Sequence, residues 1–456
     1  MLTGMVDASW LRVLAVNPTV GLPSLVPKWC SVSHVNSTMP VYIFQQGLTK
    51  GISSIPFGWP IVKLAPCLAL IYLLKWWFGG AVNTSERKMH SKVVMITGGT
   101  SGIGAEVARG LAMRGAQLVL LTQHSLTDPF LVDYIEDLRE QTGNHLITAE
   151  QVDLTSLHSI REFATKWVDN LPPRRLDMII LCADTRTPPG GKATVTEDGL
   201  EPTWVVNYMA NFHLLSILSP ALRAQPPDRD VRIIFGTCSS YMGGQLFDSP
   251  TSSTAAGSSK KNKTANGSRS KKSTSGSIYS TSKLAVMVFA QAFQKHLSSF
   301  TRPDKYPMNA RVFLVDPGWT RTPGMRRFLT FGSLWGLFVY LITWPLWWLI
   351  LKSPEQGAQT FLHAAMEAEY GRGEGGWMLK ECRQYNITRS EVKDEEAQKR
   401  LWAVSEETIQ KLEKEGAKRR ATEKSKQKEQ DKTDGKVNGK ATGNDKQTNG
   451  GTKQRK

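Results

Sequence analysis

The sequence predicts a doubly wound α/β fold, a parallel sheet with helices on both faces, and two observations predict it. From residue 92 to about 318, short runs rich in β-branched residues alternate with helix-patterned segments, the pattern of parallel strands joined by crossovers. The first run also empties directly into a glycine-rich turn that opens a helix. The strand runs are KVVMITGG, AQLVLLTQ, LITAEQVDL, LDMIILCAD, VRIIFGTCSS and ARVFLVDPG. Helices are expected over AEVARGLAMRG, around 128–141, near 156–169, near 200–222 and from Tyr279.

The glycine-rich turn reads Thr97-Gly98-Gly99-Thr100-Ser101-Gly102-Ile103-Gly104. In such a sheet the first strand–helix turn is where a dinucleotide pyrophosphate sits. Glycines let the backbone approach it, and the helix N-terminus offers free N–H groups and partial positive charge. The expected architecture is therefore a Rossmann-type sheet. Asp153, after the third strand, is placed either to touch the adenine or to cap the next helix.

The helix IYSTSKLAVMVFAQAF sets Tyr279 and Lys283 four residues apart, on one face and roughly 5–6 Å apart at Cβ. A tyrosine titrates near about 10 in isolation, and a nearby ammonium favours the phenolate. The pair reads as a tuned proton donor, against the alternative of two amphipathic side chains at a helix start.

At 456 residues the chain suits one large domain, or two. The net charge of +17 is concentrated in two tracts: 249–277 holds six Lys/Arg and no acid, and 418–456 holds thirteen Lys/Arg against five acids. Both are poor in large apolar residues and are expected to be disordered. The remainder is nearly neutral, which argues against a nucleic-acid groove. Five scattered cysteines without a CxxC, and eight histidines without ligand spacing, fit reduced thiols and no metal site.

Residues 1–55 are an unassigned leader. The stretch 56–80 contains IVKLAPCLALIYLLKWWF, short for a membrane anchor but adequate with its lysines snorkelling; a buried core helix is the alternative. Arg87, Lys88 and Lys92 follow it and favour a cytosolic C-terminal side.

TGGTSGIG matches the TGxxxGxG of the short-chain dehydrogenase/reductase superfamily, and Tyr279–Lys283 matches its YxxxK. TEDGLE (196–201), VVNY (205–208), KSPEQGAQT (352–360) and LWAVSEET (401–408) resemble the retinol-dehydrogenase-like, membrane-associated branch. The resemblance spans about 90–410. It implies Tyr279 as general acid or base, Lys283 lowering its pKa and holding nicotinamide ribose hydroxyls, and Ser240 (or Ser239) bonding the substrate oxygen. It further implies Asn207 holding a relay water, and Pro317, Gly318 and Thr320 (or Thr322) against the carboxamide. Two departures stand out. Leu181-Cys182-Ala183-Asp184 replaces the usual Asn-Asn-Ala-Gly, and the second strand ends LLTQ without the acid that would bind a free ribose 2′-hydroxyl. NAD and NADP both stay open, with a tilt to NADP.

The run 328–351 is uncharged between Arg327 and Lys352. In this family both of its neighbours pack on one sheet, so it is expected to dip into a membrane and return; a buried segment is the alternative. The insert 249–277 reads as a passive linker or as a contact for anionic headgroups. The tail is assigned to 411–456.

The function expected from all this is NAD(P)-dependent interconversion of a hydrophobic alcohol with its aldehyde or ketone. The expected setting is a membrane, of the endoplasmic reticulum or a lipid droplet, with the catalytic domain facing the cytosol. A homodimer is allowed, and no specific nucleic acid is expected. The rival is a non-catalytic, cofactor-binding or scaffold member of the same fold.

Overall fold

The computed structural model describes residues 58–191, 194–246 and 275–441. The leader 1–55 and the insert residues 249–274 lie outside them. Up to Leu70 the first unit is described only as the opening of helix α1 (Gly58–Gly79), which contains Pro66.

In the second unit, β1 (Val93–Thr97), α2 (Gly102–Ala112), β2 (Gln117–Thr122), α3 (Pro129–Thr142), β3 (Ile147–Gln151), α4 (Leu157–Val168) and β4 (Met178–Leu181) build the first half. Helix α5 (Pro202–Arg223), β5 (Val231–Gly236), α6 (Ser275–Ser298) and β6 (Ala310–Asp316) build the second. The eight-stranded sheet runs β3-β2-β1-β4-β5-β6-β7-β8, parallel except for the last pair. The order reverses between β1 and β4, which opens a crevice at the strands' C-terminal ends, where such sheets bind ligands.

Strands β1 and β4 are buried throughout. One apolar layer packs α4, α5 and α6 on one face of the sheet; the other packs α2 and α10 (Pro354–Met366) on the opposite face. Among the described residues, α5 is the helix long and apolar enough to cross a membrane. With 72% of its most apolar window buried, it is a core helix.

Three findings differ from expectation. The hairpin of β7 (Trp377–Lys380) and β8 (Arg383–Tyr385) extends the sheet beyond the six expected strands. Helix α6 begins at Ser275, so 275–277 belong to it and not to the insert. After the short α11 (Ser390–Lys393), helix α12 runs Glu395–Ala441. Its Leu412 is buried and its Arg419 bonds Asp198 at 2.9 Å, so the packed domain ends about ten residues beyond the expected 410. From 421 to 426 every side chain is exposed.

The run 328–351 forms the end of α7 (Pro323–Leu329), then α8 (Leu334–Ile342) and α9 (Trp344–Ile350). It leaves and returns at one place: Thr320 bridges Lys352, and the Arg321 N–H donates to the Lys352 carbonyl at 2.8 Å. Ser353 then starts α10 with a capping box to Gln356.

Candidate active site

The crevice floor is the β1–α2 turn. Gly98 has φ +67°, and a Cβ there would lie 2.9 Å from the Ala183 backbone; one on Gly104 would collide with the Gly98 carbonyl. Only glycine fits either position. Thr97 is buried, and its hydroxyl accepts from the Ala183 N–H at 3.2 Å, tying the turn to the segment after β4. Tyr134 of α3 donates to the Gly99 carbonyl at 2.8 Å, a support the sequence reading missed. Ser101, the N-cap of α2, makes no side-chain capping bond, so the helix's first N–H groups stay open to an anion. Gly102 faces Thr322, and Ile103 packs against the apolar layer. This cradle fits the pyrophosphate of a dinucleotide.

Asp153 accepts from the Thr155 N–H and hydroxyl, both at 2.8 Å, while Ser156 caps α4. The N-cap alternative is therefore corrected: Asp153 shapes the turn before the helix. Gly318 turns the chain with φ +76° and donates to Asp316 at 2.9 Å. After Pro317 and Gly318, Thr320 is buried, its hydroxyl donating to the Gly318 carbonyl at 3.3 Å.

Tyr279 and Lys283 sit in α6, both less than a tenth exposed. The Tyr279 hydroxyl donates to Asp184 Oδ2 at 2.8 Å, and Lys283 Nζ lies 3.1 Å from Asp184 Oδ1 and 3.3 Å from the Gly236 carbonyl. The residue where the family pattern has glycine is thus a carboxylate gripping both members of the pair. The Arg186 guanidinium lies 4.8 Å over the Tyr279 ring.

The side chain in contact with the phenol at this strand end is Cys238. Cys238 is the last extended residue after β5 (φ −157°, ψ 161°), and its Sγ lies 3.5 Å from the Tyr279 hydroxyl. Ser239 and Ser240 belong to the tight turn Ser239–Gly243, in which Ser239 donates to Asp316 at 2.9 Å. Cys238 thus joins the expected Ser240 and Ser239 as a candidate for the place beside the phenol.

Asn207 lies in a π-helical turn of α5 (Val205–Met209) and is buried, the kind of helix defect common at functional sites. Its amide accepts from the Thr185 N–H at 2.8 Å and donates to the Thr185 carbonyl at 3.0 Å and to Ser282 at 3.2 Å. Asn207 thus joins the segment after Asp184 to α6.

Burial and Asp184 govern the electrostatics of the pair. Burial pushes Tyr279 well above its ordinary pKa, and the Asp184 carboxylate and Cys238 add to the rise. Burial alone would lower Lys283, yet Asp184 outweighs it and holds the ammonium's pKa raised. Both shifts have one geometric source besides burial, the carboxylate of Asp184 that contacts the phenol and the ammonium together.

The family model described as short chain dehydrogenase matches residues 92–247. The chain is 41% identical over 359 residues to "uncharacterized oxidoreductase pbr1" of Schizosaccharomyces pombe, covering 78% of this chain and 92% of that one. It is 35% identical over 402 residues to "uncharacterized oxidoreductase YNL181W" of Saccharomyces cerevisiae, covering 84% and 95%. It is 29% identical over 349 residues to human retinol dehydrogenase 13, covering 76% and 93%.

Proposed function

The chain belongs to the short-chain dehydrogenase/reductase family of NAD(P)-dependent oxidoreductases, and from that premise we propose that it is a membrane-associated enzyme interconverting a hydrophobic alcohol with its aldehyde or ketone. The observation that carries this reading is the convergence of Tyr279, Lys283, Asp184 and Cys238 at the ends of β4 and β5, beside a glycine cradle that fits a dinucleotide. The bound nicotinamide supplies the hydride. Thr97, Gly98, Gly102, Ile103 and Gly104 hold its pyrophosphate side.

In the reducing direction Tyr279 gives its proton to the carbonyl oxygen, and the Cys238 thiol donates a second hydrogen bond there. Lys283 stabilises the phenolate left behind. Asp184, with a side chain 38% exposed against 5% for Lys283, connects the buried pair to solvent and returns the proton.

Three observations support the membrane setting. Leu334 and Trp335 of α8 are 86% and 75% exposed, with further exposed apolar side chains along α9. Lys75 of α1 donates to the Trp348 and Leu351 carbonyls. Phe328, at the foot of this segment, stacks on the Arg186 that stacks on Tyr279, so an apolar substrate entering from lipid would meet the site directly. The free thiols Cys67, Cys182, Cys238 and Cys382 suit a domain facing the cytosol, on endoplasmic reticulum or a lipid droplet. The missing acid after β2 keeps the tilt to NADP.

One feature favours the non-catalytic reading: Asp184 engages both members of the pair at once. Purified protein in detergent, followed by nicotinamide absorbance against hydrophobic aldehydes and ketones, tests the two. Turnover with any of them supports the enzyme; cofactor binding without turnover across the panel supports the scaffold.

A further inference from the structure

We propose that Arg186 is an anion-recognition point at the substrate mouth, so that the carbonyl substrate carries a carboxylate or phosphate a few bonds from the carbon that is reduced. This rests on the dehydrogenase reading and adds a substrate class to it.

The half-buried guanidinium is clamped between two rings, 4.8 Å from the Tyr279 centroid and 3.8 Å from that of Phe328. Its Nε is buried and has no hydrogen-bond partner among the described residues. The buried Arg232 and Arg302 are paired with Asp230 and Asp304, and Arg139, whose Nε is also unpartnered, donates through its fork to the Ile147 carbonyl. The nearest carboxylate in sequence, Asp184, is already committed to Lys283 and Tyr279. A buried N–H without an acceptor is costly, and ring faces compensate only part of that. The clamp also fixes the plane of the fork, which presents paired N–H donors matched to a carboxylate or phosphate. Because one clamping ring is the proton donor's own, an anion on this fork lies beside the reacting carbonyl.

The test uses the full-length protein in detergent with a long-chain γ-oxo acid and its methyl ester. Wild type should prefer the acid in kcat/KM by at least about tenfold, the scale of one charge-assisted hydrogen bond. Arg186→Gln should bring that ratio close to one, and Arg186→Lys should keep part of it. The acid should also raise the wild-type melting temperature more than the ester does, and that excess should vanish in Arg186→Gln. A wild-type ratio of one, or an unchanged ratio in Arg186→Gln, would overturn the proposal. So would a variant whose only defect is weaker NADP(H) or NAD(H) binding, since the fork would then serve the cofactor. Arg186-dependent stabilisation by the acid without turnover of either compound would uphold the anion site and overturn its link to carbonyl reduction.

Discussion

Asp184 and Cys238 decide what Tyr279 can do, and each lends itself to substitution. Asp184→Asn removes the carboxylate that, after burial, raises the phenol's pKa, so the alkaline limb of the reductive pH–rate profile should move to lower pH. An unmoved limb would show that Asp184 does not reach the phenol during turnover. Cys238→Ala should lower kcat/KM about tenfold or more, the worth of one hydrogen bond to a reacting oxygen, and Cys238→Ser should restore most of it. Ser240→Ala, by contrast, should stay close to wild type; a large loss there would return the role to the serine. The spacing of Tyr279 and Lys283 was legible because one helix carries both. Cys238 was not, because where an extended run yields to a tight turn is a property of backbone geometry that CSSYMGG does not disclose. Asp184 lies 95 residues from Tyr279 and meets it only through the β4–β5 pairing.

At the scale of elements, the six parallel strands and their helices were readable from apolar runs of ordinary length. The β7–β8 hairpin was missed because WMLK and RQY are short, and RQY is exposed. The start of α6 was missed because its first turn, Ser275 to Ile278, looks like a continuation of the polar insert. The junction of α4, α5 and α12 carries a pH dependence. Burial lowers the His213 pKa to about 4, with Arg161 adding to the effect. Glu413 lies 3.2 Å from the ring, but its carboxylate is already paired with Arg161 at 2.6 Å, so burial prevails and the imidazole stays neutral. A depressed folded-state pKa favours folding above the unfolded value of about 6.5 and loses that contribution as pH falls towards 4. At most about 3 kcal/mol is at stake. Urea midpoints of wild type should therefore fall between pH 7.5 and 4.5 more steeply than those of His213→Gln. Parallel curves would mean that His213 takes up its proton without strain.

For the molecule as a whole, charge and apolar surface lie on separate parts of the chain. The basic excess lies in 249–277 and 418–456, while the exposed apolar residues of α8 and α9 share one excursion flanked by Arg326, Arg327 and Lys75. Replacing Leu334 and Trp335 by Asp should weaken flotation with liposomes by at least about tenfold, since each large apolar side chain withdrawn from water is worth about 1.5–3 kcal/mol. Cysteines placed at the exposed flanks Arg326 and Glu355 should label from the same side of the bilayer; labelling from opposite sides would contradict a segment that enters and returns. The uncharged length of 328–351 would also suit a crossing; the requirement that both neighbours share one sheet argues for the return. The central claim is that the phenol of Tyr279 protonates a carbonyl oxygen in this protein. Single-turnover hydride transfer in full-length Tyr279→Phe, measured beside cofactor affinity, tests it most directly. A fall of about a hundredfold to ten-thousandfold in rate is expected, the range of a lost general acid, with cofactor affinity little changed. An unchanged rate would contradict it.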